Sequence, residues 1–577
     1  MGRDFNLCAC LETVNNLSKK KLKFTKKTMT RILPFILLLF FTNLLFGQND
    51  ILDTGGPLMP EQAAYDVQYY GLDVKVNPDE KAIEGNLTMR ATIVQPIAWV
   101  VMDLDTTFTI HDIYETHEGD MVIPATWQRE SGKVWINMKY TRQAGSSVTL
   151  TLQYSGKPRV ARRPPWDGGF TWAKTKTGAH WIATTCQGEG ADLWWPNKDH
   201  VSDKPDRMDL LVTVPDDLVV ASNGRLSSHH NNGDGTATWH WKITTPISNY
   251  NVALNIAPYK IIEDKIESVS GNTFPVYFYV LPEDFEKGQK FMPEIIAQLK
   301  WFESMLGPYP FQQDKYGAVQ TPHLGMEHQS IIAYGANFKN GAMTGGKDWG
   351  FDALHQHELA HEWWGNLVTN ADWKDMWIHE GFGSYMQPLY AEHLNGKAAY
   401  HKYMNSMYFR NQYPIAPHSS KTGKEIYKAP IYTKGAWVLH TLRYLIGDED
   451  FFKAFKKMAY PDQNDLTNMD GHQIRFVTTE DFITTIGEVT GKDFHWFFDI
   501  YVRQGSAPVL ISVVEKGELR LRWKTRNNRP FPMPVEVKLG DTVKRYEIPA
   551  EGLVIPFKKG DRPEVDPDRW ILMDVTK

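Results

Sequence analysis

The stretch His357–Asn366 reads HELAHEWWGN, and the spacing of its two histidines decides how the chain is read. On a helix, positions i and i+4 lie about 40° apart, so His357 and His361 point two imidazoles at one spot. Two neutral nitrogens joined by one carboxylate leave a fourth tetrahedral position open for water, the pattern of catalytic rather than structural zinc. The third ligand should be an acid arriving from elsewhere. Gly365–Asn366 supplies a helix stop just past the motif, and a second helix signal runs through Trp377-Ile378-His379-Glu380. Glu380 can therefore close the site.

Working outward, three regions differ in periodicity. From about 263 to 506 the spacing is helical: Ile295, Leu299, Phe302 and Leu306 share one face of a helix that Gly307-Pro308 would end. From about 64 to 262, short alternating runs such as Val148 to Tyr154 and turn clusters such as Asn231-Asn232-Gly233-Asp234-Gly235 predict an all-β region. After about 507 alternation returns. Leu519, Leu521 and Trp523 are set between Arg520, Arg522 and Lys524, and Val535, Val537 and Leu539 lead to a Gly540-Asp541 turn. The expected fold is multidomain α+β, with an antiparallel β domain over 49–262, a zinc-binding catalytic domain over 263–506 and a small β-sandwich over 507–577.

Composition narrows the function. The formal charge of −5, from 63 basic and 68 acidic residues, favours neither nucleic acid nor anionic lipid as a partner. With only Cys8, Cys10 and Cys186 present, a disulfide framework is excluded. From Met29 the chain carries one Arg, an apolar run from Ile32 to about Phe46, then small and polar residues. That run is short for a membrane span and suits a signal peptide over 29–48, with 1–28 as an upstream extension. Export to the periplasm or medium is the expectation; an uncleaved segment would instead anchor the protein to a membrane.

The longer run HELAHEWWGNLVTNADWKDMWIHEGFGSY resembles the zinc aminopeptidases of the aminopeptidase N and leukotriene-hydrolysing type, the gluzincins, whose pattern H-E-x-x-H-x18-E ends on a glutamate ligand within W-L-x-E-G-F. Glu380 stands at that spacing from His361. The resemblance implies a thermolysin-like catalytic domain, zinc ligands His357, His361 and Glu380, and Glu358 as general base. It covers the chain from about residue 64 to its carboxyl end, although a large helical carboxyl-terminal domain of many relatives has no counterpart.

Three further segments carry the resemblance. Leu324-Gly325-Met326-Glu327-His328 stands where the family has G-x-M-E-N, with Leu and His departing from that pattern; Glu327 would bind the substrate's free amino group and Gly325 and Met326 would border it. Thr185-Cys186-Gln187-Gly188-Glu189 looks like the family's T-Q-x-E and would bring Gln187 and Glu189 to the same amine, since a partly desolvated cation needs compensating charge. Ile431-Tyr432-Thr433-Lys434-Gly435-Ala436 resembles Y-x-K-G-A, whose Tyr donates to the oxyanion; by itself, a Tyr ahead of a helix reads as a packing residue. His328, His355 and His379 lie near the site without a ligand role. The implied activity is removal of the amino-terminal residue from peptides. A thermolysin-like endopeptidase, an added epoxide hydrolase activity and a non-catalytic peptide-binding protein are the alternatives.

Overall fold

The computed structural model describes residues 53–117, 121–407, 413–558 and 560–576. The predicted signal segment, the upstream extension, Cys8 and Cys10 lie outside them. From Asp53 onward the chain forms one compact unit. No helix among the described residues is long and apolar enough to cross a membrane.

Alternation builds the amino-terminal region as expected. An eight-stranded sheet runs, in spatial order, Arg225–Asn231, Thr236–Ile243, Arg207–Pro215, Tyr65–Asn77, Ala82–Ile93, Ser147–Gly156, Phe108–His117 and Met121–Pro124. In Ser147–Gly156 the buried positions are Val148, Leu150, Leu152 and Tyr154, the period-two face of a half-buried strand. The glycine-rich cluster at 231–235 makes the hairpin between the first two strands. One pair departs from the antiparallel expectation: Tyr65–Asn77 runs parallel to Arg207–Pro215, with Leu72 opposite Leu210. The long intervening chain supplies the crossover that parallel pairing requires.

A four-stranded sheet of Val219–Ala221, Asn255–Ala257, His180–Thr185 and Gly169–Lys174 follows. Its strand His180–Thr185 ends against Cys186 and so launches the loop carrying Gln187 and Glu189.

The middle region opens with a five-stranded mixed sheet in the order Lys260–Glu267, Thr273–Val280, Tyr316–Gln320, Ile332–Tyr334 and Gly325–Met326. Its first strand straddles the expected boundary at 262/263, because the sheet begins one hairpin earlier than the helical spacing does. Gly325–Met326 is an edge strand, antiparallel to Ile332–Tyr334. The helix Phe285–Leu306 buries Ile295, Leu299, Phe302 and Leu306 and stops at Gly307, whose φ of 121° suits glycine.

Helices Trp377–Asn395 and Ile431–Ile446 cross at Gly381 and Gly435, where a Cβ on Gly435 would stand 2.6 Å from the Gly381 Cα. Glycine on both sides is what lets these backbones touch. The last residues form a four-stranded sheet (Leu553–Pro556, Glu518–Lys524, Val509–Glu515, Asp574–Thr576) and a three-stranded one (Thr542–Tyr546, Val535–Leu539, Glu564–Val565).

Candidate active site

The helix Ala353–Ala360 starts at Asp352, whose side chain accepts the His355 N–H as an N-cap. It presents His357 and Glu358 from its last turn, and His361 follows at its C-cap. Glu380 comes from the first turn of Trp377–Asn395. The four side chains are almost fully buried.

Their ligand atoms converge. The Nε2 atoms of His357 and His361 are 3.2 Å apart, and each lies 3.5 Å from Glu380 Oε2. Zinc–ligand bonds of about 2.0–2.1 Å in tetrahedral geometry put ligands about 3.3 Å from one another, so the three atoms outline one face of such a site. Glu380 Oε2 is buried with no hydrogen-bond partner. The Nδ1 of His361 is 2.9 Å from the Trp364 carbonyl, to which it donates, so Nε2 is the nitrogen turned towards His357 and Glu380. Gly383 leaves room for the rings, since a Cβ there would meet His361 Cε1 at 3.3 Å.

The electrostatics call for a cation. Burial opposes charge on Glu380, yet His357 and His361 pull its carboxyl well below the usual range. Burial likewise opposes a charged His361, but Glu380, Glu327 and Glu358 raise it to about 10. Three buried carboxyl groups and two imidazoles, with one Glu380 oxygen lacking a hydrogen-bond partner, form a donor set that a divalent ion would complete.

Glu358 sits against the edge strand: a Cβ on Gly325 would lie 2.4 Å from Glu358 Oε1. Burial, helped by Glu327 and Glu380, pushes the Glu358 carboxyl well up, although His361 opposes this. The glutamate immediately after that strand, Glu327, has an acid oxygen within 4.8 Å of Glu358 and His361 ligand atoms. Its Oε1 accepts the Gln187 amide and the Tyr250 hydroxyl, the latter at 3.3 Å. Burial lifts its carboxyl, with Glu380 adding and His361 opposing.

Tyr432 occupies the first turn of Ile431–Ile446 rather than the chain ahead of it. Its ring lies beside His357, centroids 6.0 Å apart. Burial, then Glu380 and Glu327, hold its hydroxyl well above the usual phenol range, so it stays a donor. Of the expected bystanders, His355 bonds Tyr316 and Gln298, each at 2.7 Å, and His379 accepts the Asn370 N–H. His328 is buried beside Glu327 in sequence.

Glu189 is placed differently from Glu327. Its Oε1 pairs with Lys424 Nζ at 3.1 Å and its Oε2 accepts the Gly168 N–H at 2.9 Å. Two functional residues escape a reading of the sequence. Tyr427 donates to Gln187 Oε1 and lies 3.3 Å from Glu380 Oε1, linking the anchor loop to the metal triad. Its nearness in sequence to Tyr432 is the one signal that could have found it. Tyr250 belongs to a short 3₁₀ turn with no motif around it.

Every site residue expected from the sequence lines one cleft of about 700 Å³, and Tyr427, Lys424 and Trp166 line it with them. Residues 66–251 match the family model of the peptidase M1 N-terminal domain, and residues 294–501 match that of the peptidase family M1 domain. Over 315 residues the chain is 28% identical to the mitochondrial aminopeptidase 2 of Saccharomyces cerevisiae, covering 51% of this chain and 31% of that protein. Over 415 residues it is 21% identical to aminopeptidase N of Escherichia coli, covering 66% and 45%. The chain thus spans less than half the length of these relatives. An M1 zinc metallopeptidase of Deinococcus radiodurans, in a mutant form bound to a Tyr-Ser-Ala substrate, shares the fold with a TM-score of 0.62 at 22% identity, covering 78% of this chain and 95% of that one.

Proposed function

We propose that this chain, which belongs to peptidase family M1, is an aminopeptidase binding one zinc ion per chain through His357, His361 and Glu380 and releasing the amino-terminal residue of peptides. The observation that carries this reading is the buried Glu327 carboxylate beside the metal triad. Its oxygen lies within 4.8 Å of the His361 ligand nitrogen. In a peptide, the amino nitrogen and the first carbonyl carbon are about 2.5 Å apart, and each further carbonyl is about 3.8 Å on. With the ammonium held on Glu327, only the first peptide bond reaches the triad.

Zinc, when bound, would polarise the scissile carbonyl and acidify water. The remaining work falls to the protein. Glu358 accepts the proton of the attacking water and delivers it to the leaving amine; the burial that raises its carboxyl favours holding the proton between those two steps. The Tyr432 hydroxyl donates to the oxyanion. Gln187 and Tyr250 both donate to Oε1 of Glu327, which fixes that oxygen and leaves Oε2 for the substrate ammonium.

The same reading treats the catalytic region as thermolysin-like and the two carboxyl-terminal sheets as a small sandwich over 507–577. It takes 29–48 as an export signal, on the strength of the apolar run after Arg31. The decisive experiment compares kcat/KM for free and amino-terminally acetylated peptides. Acetylation removes the charge and strands a buried carboxylate, so acetylated peptides should be nearly inert. Cleavage of acetylated peptides at internal bonds, as fast as free ones at the first bond, would establish an endopeptidase instead.

A further inference from the structure

The loop that presents Gln187 and Glu189 is laced to a second segment. Gly423 N–H donates to the Thr54 carbonyl at 2.9 Å, and a Cβ on Gly423 would meet the Gly188 carbonyl oxygen at 3.0 Å. This contact seats the one-turn helix Gly423–Ile426 directly on the anchor loop. A capping box of Thr422 and Glu425 closes that helix, and the Lys424 N–H donates to Asp53 Oδ1 at 3.0 Å. The backbone of Lys424 is therefore fixed, and its side chain reaches the cleft.

There it meets Glu189. The 3.1 Å ion pair and the Gly168 N–H together occupy both carboxylate oxygens. The carboxylate is 15% exposed and the lysine side chain 40%, so the pair stands at the cleft wall, partly shielded from water. The other charges on this wall are also compensated or cationic. Asp167 pairs with Arg163 at 3.1 Å, and Lys428 lines the cleft as an exposed cation.

The place of the pair follows from its neighbours. Glu189 shares its loop with Gln187, which bonds Glu327, and Lys424 is one helical turn from Tyr427, which bonds both Gln187 and Glu380. Tyr427, Glu189 and Lys424 line the same cleft as Glu327 and the metal triad, so the side chain of a residue held there by its ammonium and carbonyl would come within reach of this wall. We propose that Lys424 sets the choice of first residue: by occupying Glu189 it leaves this wall without a free carboxylate, which selects peptides with a neutral first residue and bars amino-terminal Arg and Lys. This rests on the aminopeptidase reading. An incoming guanidinium meets the Lys424 ammonium at close range and finds no unpaired acid, so repulsion acts as the discriminating element.

The test is a set of kcat/KM values for Leu-, Arg- and Glu-arylamides with the zinc-loaded full chain. The unaltered protein should favour Leu over Arg. Lys424→Met frees Glu189, and the Arg/Leu ratio should rise about tenfold. In the double variant Lys424→Met/Glu189→Gln that gain should vanish. Glu189→Gln alone strands the lysine and should raise the Glu/Leu ratio instead. Lys424→Arg retains the ion pair and should keep the original ratios; if it shifts them as Met does, the effect is loop distortion and the proposal falls. An active Lys424→Met variant with an unmoved Arg/Leu ratio overturns the proposal alone. A chain inert to every arylamide overturns the aminopeptidase reading, and the proposal with it.

Discussion

A single methyl group added at Gly325 should disarm Glu358 while sparing the metal ligands. Gly325 lies in ordinary extended backbone on the edge strand, so alanine brings no conformational strain there. Its Cβ, however, would stand 2.4 Å from Glu358 Oε1 and 2.7 Å from Leu354 Cδ1, where ordinary contact begins near 3.4 Å. The carboxylate must give way by about 1 Å, since Leu354 is buried and cannot yield space. A displacement of that size in a proton-transferring group costs about 10²-fold in rate, or about 2.7 kcal/mol of barrier. The nearest atoms to the new methyl do not include His357, His361 or Glu380, so zinc content should stay at one per chain. The assay pairs kcat on a Leu-arylamide with zinc determined by elemental analysis of the same preparation. A kcat within about threefold of the unaltered protein would refute the claim that this strand positions the base. Loss of zinc would refute the separation of base from ligands.

Removing metal with a chelator should abolish hydrolysis and added zinc should restore it, whereas Glu358→Gln should keep zinc and lose most turnover, because an amide cannot accept the proton; elemental analysis beside the rate assay checks both. Tyr432→Phe deletes only the donor hydroxyl and should lower kcat by about 10²–10³ with little change in KM; an unchanged kcat would return Tyr432 to a packing role. A pH dependence of stability follows from His440, which burial pushes down to about 3 while its ring bonds Tyr400 and the Arg569 carbonyl. In the unfolded chain it titrates near 6.5, so its stabilising contribution is complete above about pH 6.5 and is lost as pH falls from there toward 3. Denaturant titrations between pH 7 and 5 should show His440→Gln reducing the loss of stability by about 1 kcal/mol per pH unit on average, rising to about 1.4 at the acid end, and an identical slope in the variant would contradict the buried neutral ring.

Much of this molecule was legible from its chain. The i, i+4 histidines and the glutamate on the following helix depend on local geometry, and local geometry is what periodicity reports; the stop expected at Gly365 comes earlier, since the helix ends at Ala360 with His361 as its C-cap. The helix Phe285–Leu306 and the strand Ser147–Gly156 were readable for the same reason, each burying one regular face. Tyr432 was set too early, ahead of its helix, because Pro430 was free to serve as the N-cap and let the helix begin at Ile431. The parallel pairing of Tyr65–Asn77 with Arg207–Pro215 was missed because register between distant strands leaves no local trace.

The sequence by itself determined which groups carry the chemistry, since a helix imposes the spacing of His357, Glu358 and His361 wherever it is placed. Only the tertiary structure decided how their partners are used. Tyr250 and Tyr427 enter the site from segments with no motif, and Glu189 is claimed by Lys424, from a distant part of the chain. Those pairings arise where loops from different sheets and helices are packed into one wall. Whether a carboxylate meets a substrate or a neighbouring lysine is settled by that packing, at distances that sequence separation does not encode.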